Sequence, residues 1–173
     1  MTLVLGGARS GKSTFAENLA RVAEAAGRSI VYVATATDGD AEMAARIAEH
    51  QRRRPPHWRT AEAPLALAAA LAEIARPDCL MLVDCLTLWL TNVLLAEPPI
   101  LDAERARLLT ALPTLSGDVV LVSNEVGMGL VAPEPLGRRF VDEAGRLHQA
   151  VAALADRVVL VVAGLPMALK GTL

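Results

Sequence analysis

The sequence has few cysteines, few aromatic residues and no strong excess of charge. Only Cys79 and Cys85 occur, and they lack the spacing of metal ligands, so we expect reduced core thiols. The net charge of −2 gives no reason to expect a nucleic-acid-binding protein. No apolar run reaches the roughly 20 residues that a membrane span requires. Because Met1 leads directly into an apolar stretch, we expect no signal peptide and a cytoplasmic protein.

Hydrophobic residues make up 53% of the 173 residues and aromatic residues only 3%, so a largely aliphatic core is expected in a single domain, residues 1–173. Apolar stretches alternate with helical patterns, which predicts an α/β fold with a mostly parallel sheet flanked by helices. The predicted strands are Thr2–Leu5, Ser29–Ala34, Leu80–Val83, Val119–Val122 and Arg157–Val162, with a short extended piece at Trp58–Ala61. The predicted helices are Lys12–Ala26, Asp40–Gln51, Pro64–Ile74, Leu86–Leu95, Ala103–Leu112 and Leu136–Ala155.

A phosphate-binding loop lies between the first strand and the first helix. Its residues follow the pattern G-x-x-x-x-G-K-[ST] and are Gly6, Gly7, Ala8, Arg9, Ser10, Gly11, Lys12 and Ser13. Glycines let consecutive backbone N–H groups point at phosphate oxygens, and the helix adds its positive end. Lys12 supplies a catalytic charge for the β- and γ-phosphates, and Ser13 offers a hydroxyl to Mg²⁺. The alternative is a chance match to the pattern, which would have no reason to lie between an apolar strand and a helix. The chain should therefore bind a nucleoside triphosphate.

Acidic residues close two of the other predicted strands. Asp84 follows Leu80–Val83 and would hold Mg²⁺ together with Ser13, directly or through water. Its alternative role is to cap the helix that begins near Leu86. Glu125 ends the fourth strand and would face the ligand crevice at the carboxyl edge of the sheet; the alternative is a surface glutamate.

A histidine and a run of arginines follow the second strand. Neutral imidazole is a good nucleophile toward an α-phosphorus, and His50 shares a predicted helix face with Arg54. On spacing alone a solvated helix-end histidine is favoured instead. Arg52, Arg53 and Arg54 are more often a solvated basic turn than an anion clamp. We interpret His148 as structural.

Several separated motifs resemble one family over nearly the whole chain, from Leu3 to about Lys170. They are Gly6–Ser13, Tyr32–Thr35, Glu42–Ile47 with His50, Asp84–Asn92, Ser123–Pro133 and a set spread over Arg138–Gln149. Together they closely resemble the bifunctional adenosylcobinamide kinase / adenosylcobinamide-phosphate guanylyltransferase family of cobalamin biosynthesis. The resemblance implies a RecA-like P-loop NTPase fold and assembly as a homotrimer.

The resemblance also implies two reactions. The enzyme would phosphorylate the aminopropanol hydroxyl of adenosylcobinamide with ATP or GTP, and would then transfer GMP from GTP to the product, adenosylcobinamide phosphate. The second reaction would pass through a GMP–histidine phosphoramidate and release pyrophosphate. The histidine that matches is His50. The implied nucleotide contacts are Gly6–Ser13, Ala34, Thr35, Gln51, Arg52, Arg53, Arg54, Glu62 and Asp84.

Two other functions fit the residues without the resemblance. Another small-molecule kinase would explain Lys12, Ser13 and Asp84 and would give His50 no covalent role. A regulatory or assembly protein that binds GTP would show slow hydrolysis and no acceptor. The residues alone lead only to a P-loop phosphotransferase.

Overall fold

The computed structural model describes residues 1–37, 52 and 54–173. Its strands are β1 (Thr2–Gly6), β2 (Ser29–Ala34), β3 (Arg59–Glu62), β4 (Cys79–Asp84), β5 (Asp118–Asn124), β6 (Arg157–Val162) and β7 (Leu165–Lys170). Its helices are α1 (Lys12–Ala25), α2 (Leu67–Ile74), α3 (Leu86–Leu95), α4 (Leu101–Ala111) and α5 (Pro135–Leu154), with a 3₁₀ turn at Leu112–Thr114. The strands form one sheet in the order β3-β2-β4-β5-β1-β6-β7, in which only β7 is antiparallel to its neighbour.

Strict alternation of buried side chains along the strands builds two cores. Leu3 and Leu5 face one side of the sheet, and Val4 faces the other. Helices α2, α3, α4 and α5 cover the first side, and Ala16 and Ala20 of α1 pack on the second. Because both faces of the central strands are covered, their sequences are almost continuously apolar.

Most predicted elements are confirmed, with shifts at their ends. The predicted helix Pro64–Ile74 begins three residues later, at Leu67, and the predicted helix Ala103–Leu112 begins two residues earlier, at Leu101. The predicted helix Asp40–Gln51 lies entirely outside the described residues. No described helix combines the length and the apolar character that crossing a membrane requires.

The edge strand β7 was not predicted. Its sequence, Leu165–Lys170, lacks a polar-apolar alternation, and its side chains are largely exposed. The strand forms because a two-residue hairpin turn reverses the chain after β6. In this turn Ala163 and Gly164 have positive φ angles, of 53° and 81° respectively. This turn also reaches the phosphate loop, since the Gly164 N–H donates a hydrogen bond to the Ser10 carbonyl at 2.8 Å.

The turn before β5 gives a stability prediction with a matched control. Gly117 and Gly27 both have positive φ angles, of 89° and 86°, so alanine strains either backbone by about 1–2 kcal/mol. A Cβ at Gly117 would also overlap the Arg76 carbonyl and lie 2.5 Å from the Cys79 carbonyl oxygen, whereas a Cβ at Gly27 meets nothing within 4 Å. We expect Gly117→Ala to lower the free energy of unfolding by about 1–3 kcal/mol more than Gly27→Ala. Equal urea midpoints for the two variants would contradict this expectation.

Candidate functional site

Parallel pairing brings the chemically important strand ends to one edge of the sheet. Gly6 is opposite Asn124, and Asp84 is opposite Val122 and Ala34. Glu62 is opposite Ala34 on the other side. Because β5 lies between β1 and β4, Asp84 ends a strand that is not adjacent to the strand of the phosphate loop. The ends of β1, β5 and β4 therefore form a continuous polar edge with β5 at its centre.

The phosphate loop is shaped by close backbone approach. Gly11 precedes α1 with a φ of 95°, and a Cβ there would lie 3.1 Å from the Gly164 Cα. A Cβ on Gly6 would overlap the Ser10 hydroxyl and lie 2.6 Å from the Val161 carbonyl oxygen. Glycine is thus required at Gly6 by space and at Gly11 by backbone conformation.

Two side chains of the loop have properties expected of a ligand cradle. Lys12 is largely buried as a residue, and its Nζ donates a long hydrogen bond of 3.3 Å to the Gly7 carbonyl. The buried Ser10 Oγ has no hydrogen-bond partner among the residues that the structure describes. Buried polar atoms in proteins are nearly always paired, so an unpaired hydroxyl in this loop indicates a place for an outside acceptor or donor. These features, with the loop N–H groups and the start of α1, suit the phosphates of a nucleotide.

Asp84 is tied to the segment that precedes β3. Tyr32, on β2, hydrogen-bonds the Asp84 carboxylate, and the Arg54 guanidinium lies 3.7 Å from the centre of the Tyr32 ring. Burial, with the Asp84 charge second, raises the pKa of the Tyr32 phenol well above its usual value, so the phenol stays protonated and donates. The N-cap of α3 is Cys85 and no side chain caps it, so the alternative role of Asp84 as a helix cap is wrong.

Thr35 is placed at this edge but uses its polar groups internally. Its fully buried Oγ1 donates to the Cys85 carbonyl at 2.8 Å and accepts from the Cys85 N–H at 2.9 Å. The Asn92 side chain donates to the Thr35 carbonyl at 2.8 Å and to the Pro64 carbonyl at 3.0 Å. Among the described residues, Thr35 therefore holds the end of β2 against the end of β4.

The side chains of Ser13 and Asp84 carry the kinds of oxygen atom that bind Mg²⁺. Hydroxyl and carboxylate oxygens are ligands that Mg²⁺ prefers, and this ion usually takes its other ligands from substrate phosphates and water. Residues 1–37, 52 and 54–173 hold no group of three or more His, Cys, Asp or Glu side chains arranged for a metal.

The remaining predicted contacts divide between described and undescribed residues. Glu62 and Arg52 are exposed, and Arg54 is partly buried. His50, Gln51 and Arg53 lie outside the described residues. The predicted nucleotide contacts of all these residues stay predictions.

Both cysteines are buried and free of disulfides, as expected for core thiols. Burial raises the pKa of the Cys79 and Cys85 thiols. Because the thiolate is the reactive form, burial makes both thiols poor nucleophiles.

The side chain of Glu125, which follows β5, lies close to that of His148 on α5. The Glu125 Oε1 accepts a hydrogen bond of 2.7 Å from the Gly127 N–H, and its Oε2 lies 3.8 Å from the His148 Nδ1. The His148 Nε2 pairs with the buried Ser123 Oγ at 2.7 Å. Burial lowers the pKa of the His148 imidazole, and the Glu125 charge opposes that shift.

Three residues of the edge were missed as site residues by sequence reasoning: Tyr32, Thr87 and Asn124. The Asn124 Nδ2 donates to the Thr87 Oγ1 at 3.0 Å and so joins the end of β5 to the start of α3, just after β4. Each of the three lies in one of the motifs that carry the family resemblance, and this membership was the signal that could have identified them as site residues. Their contacts depend on the order of strands, which no motif states.

Known proteins resemble this chain in sequence and in fold. A model of the family described as cobinamide kinase / cobinamide phosphate guanyltransferase matches residues 2–169. The chain is 58% identical over 170 residues to the bifunctional adenosylcobalamin biosynthesis protein CobP of Pseudomonas aeruginosa, covering 98% of this chain and 96% of that protein. It is 42% identical over 184 residues to CobU of Salmonella typhimurium, named in the same way, covering 98% and 99%.

Solved structures share the fold at low sequence identity. The flagellar accessory protein FlaH from Methanocaldococcus jannaschii gives a TM-score of 0.56 at 13% identity and covers 99% of this chain and 78% of that one. An ATPase domain of known structure gives a TM-score of 0.52 at 13% identity, covering 92% and 68%. These likenesses confirm the predicted P-loop NTPase fold and show nothing further.

A carboxylate-to-amide change tests the metal-binding assignment. Asp84→Asn removes one anionic ligand, so we expect the Mg²⁺ concentration for half-maximal turnover to rise at least about tenfold. The control is Asp118→Asn, because Asp118 begins β5 at the opposite edge and pairs with Arg28. Titration of activity with Mg²⁺ makes the comparison, and an unchanged requirement in Asp84→Asn would remove Asp84 from the metal site.

Proposed function

Since this chain belongs to the cobinamide kinase / cobinamide phosphate guanyltransferase family, we propose that it performs the kinase reaction and the guanylyltransferase reaction of that family at the carboxyl edge of its sheet. It phosphorylates the aminopropanol hydroxyl of adenosylcobinamide with ATP or GTP, then transfers GMP from GTP to adenosylcobinamide phosphate. The observation that carries this proposal is the family match over residues 2–169, which includes the whole phosphate loop.

The phosphate loop serves both reactions in this proposal. Lys12, the loop N–H groups and the start of α1 bind the triphosphate and stabilise the charge that develops on it. Ser13 and Asp84 hold Mg²⁺, which supplies further neutralisation of phosphate charge. Tyr32 and Arg54 keep the Asp84 carboxylate in place. Glu62, Gln51, Arg52 and Arg53 complete the nucleotide contacts.

His50 is the nucleophile of the guanylyl reaction. Its neutral imidazole nitrogen attacks the α-phosphorus of GTP, a nitrogen–phosphorus bond forms, and the bond to the β-phosphate oxygen breaks to release pyrophosphate. A phosphate oxygen of adenosylcobinamide phosphate then attacks the same phosphorus and frees the imidazole. The four peptide steps from His50 to Arg54 span at most about 14 Å, and the Arg54 guanidinium lies on the ring of Tyr32, beside Asp84. Covalent geometry is therefore compatible with this reaction.

The chain is further proposed to be one nucleotide-binding domain over residues 1–173 that assembles as a cytoplasmic homotrimer. The single sheet from Thr2 to Lys170 supports the first part. Exposed apolar side chains on β7, Leu165, Met167 and Leu169, support self-association, since such patches commonly mark contacts between proteins.

Removal of the proposed nucleophile should separate the two reactions. In His50→Ala we expect no protein-bound label from α-labelled GTP and no guanylyl transfer, while phosphorylation of adenosylcobinamide continues. His57→Ala is the matched control, because His57 is exposed and pairs with Glu24 before the start of β3. An acid-labile GMP adduct that persists in His50→Ala would overturn the assignment.

Removal of the loop lysine should abolish both reactions together. Lys12→Ala takes away a charge at the shared triphosphate, so we expect both rates to fall by about 100-fold or more. The other lysine, Lys170, bonds the carbonyls of Ala152 and Ala153 at the end of α5, and Lys170→Ala should leave both rates near normal. Steady-state assays of each reaction make the test; a near-normal rate of either in Lys12→Ala would mean that the reactions do not share this site.

A further inference from the structure

We propose that Glu125 is the general base of the kinase reaction and accepts the proton of the aminopropanol hydroxyl as that oxygen attacks the γ-phosphorus. The inference rests on the proposed function and adds to it a residue that serves only one of the two reactions. His148 is proposed as the positioning residue behind the Glu125 carboxylate.

Glu125 lies at the end of β5, the central one of the three strands β4, β5 and β1 at the carboxyl edge of the sheet. Its backbone N–H donates to the Gly6 carbonyl at 3.0 Å, so the residue is attached to the first glycine of the phosphate loop. It directly follows β5, which separates the loop strand β1 from β4 and its terminal Asp84. A triphosphate held by the loop, with metal at Asp84, would have its terminal phosphate near this central position.

One oxygen of the Glu125 carboxylate is hydrogen-bonded within the protein, and the other can accept a proton. The Gly127 N–H donates to Oε1 at 2.7 Å, a bond that favours the charged, proton-accepting form. Oε2 lies 3.8 Å from the His148 Nδ1, too far for a direct hydrogen bond. The Glu125 side chain is 20% exposed, so solvent or an acceptor molecule reaches it.

His148 faces Glu125 from a buried position on α5. The Ser123 hydroxyl is fully buried and 2.7 Å from the His148 Nε2. If this hydroxyl donates, the imidazole proton is on Nδ1 and points toward the Glu125 Oε2. Burial lowers the pKa of His148, so the ring stays neutral at pH 7 and orients the carboxylate without adding a full positive charge that would weaken it as a base.

Only one of the two reactions requires a base. In the kinase reaction the alcohol proton passes to the Glu125 carboxylate, the oxygen–phosphorus bond forms, and the bond to the β-phosphate breaks to release a nucleoside diphosphate. In the guanylyl reaction the nucleophiles are a neutral imidazole and a phosphate that is ionised at neutral pH, with a second pKa of about 6. Neither nucleophile has to lose a proton to a protein base.

An isosteric amide distinguishes a base from a turn-forming residue. Glu125→Gln keeps a carbonyl oxygen for the Gly127 N–H and removes the basicity, so we expect the kinase kcat to fall by about 10²- to 10⁴-fold. Guanylyl transfer to pre-formed adenosylcobinamide phosphate should fall far less, which also reports that the variant folds. Glu125→Asp should recover part of the kinase rate.

The matched control is another glutamate of the same loop. Glu134 is exposed, precedes α5 and makes no side-chain cap hydrogen bond, so Glu134→Gln should keep both rates. For the positioning role, His148→Phe should lower the kinase kcat, leave the KM for the nucleotide unchanged and spare guanylyl transfer. Equal loss of both reactions in His148→Phe would reduce His148 to a structural residue.

The outcomes for Glu125→Gln separate this inference from the proposed function. An unchanged kinase rate would show that Glu125 only closes its turn, and parallel loss of both reactions would assign it to the shared nucleotide site; either result overturns the inference. A wild-type protein that phosphorylates no cobinamide substrate would instead overturn the proposed function.

Discussion

Parallel hydrogen bonding among β1, β5 and β4 is the constraint on which the site depends. It aligns Gly6, Asn124 and Asp84 at one edge of the sheet. With β5 between the other two, the phosphate loop and the terminal Asp84 of β4 are separated by the width of one strand. In the proposed function the triphosphate and its metal ion occupy that space, and Glu125, which directly follows β5, is hydrogen-bonded to Gly6 beside it.

Beneath this edge, buried polar groups are used to fix backbone positions. Thr35 joins β2 to the residue after β4, and Thr87 joins α3 to the end of β5. Each of these side chains has its partner, so moving one strand end would leave a buried polar group unpaired, at a cost of about 1–3 kcal/mol. The loop hydroxyl of Ser10 differs because it is buried and unpaired among the described residues. Hydrogen bonds therefore fix the ends of β2, β4 and β5, whereas the phosphate loop keeps a buried hydroxyl that an external ligand could pair with.

In the proposed function, one phosphate loop serves two reactions that break different bonds of the triphosphate. Charge stabilisation is common to both, so Lys12 and the loop N–H groups are shared. The nucleophiles differ in whether they carry a removable proton, and this difference divides the remaining residues between the reactions. In this account His50 belongs to the transfer of GMP, and Glu125, supported by His148 and Ser123, belongs to phosphorylation of the alcohol.

The sequence by itself determined the phosphate loop, most helices and central strands, and Asp84 as a strand-end carboxylate, because each depends on residues close together in the chain. It could not determine β7, whose exposed sequence carries no alternation and which is formed by the turn at Ala163 and Gly164. Only the tertiary structure placed β5 between β1 and β4, buried the hydroxyl of Thr35 against Cys85, and brought His148 of α5 against Glu125. The physical reason is that local patterns fix which face of an element is apolar, whereas the pairing and packing of those faces decide which distant polar groups meet.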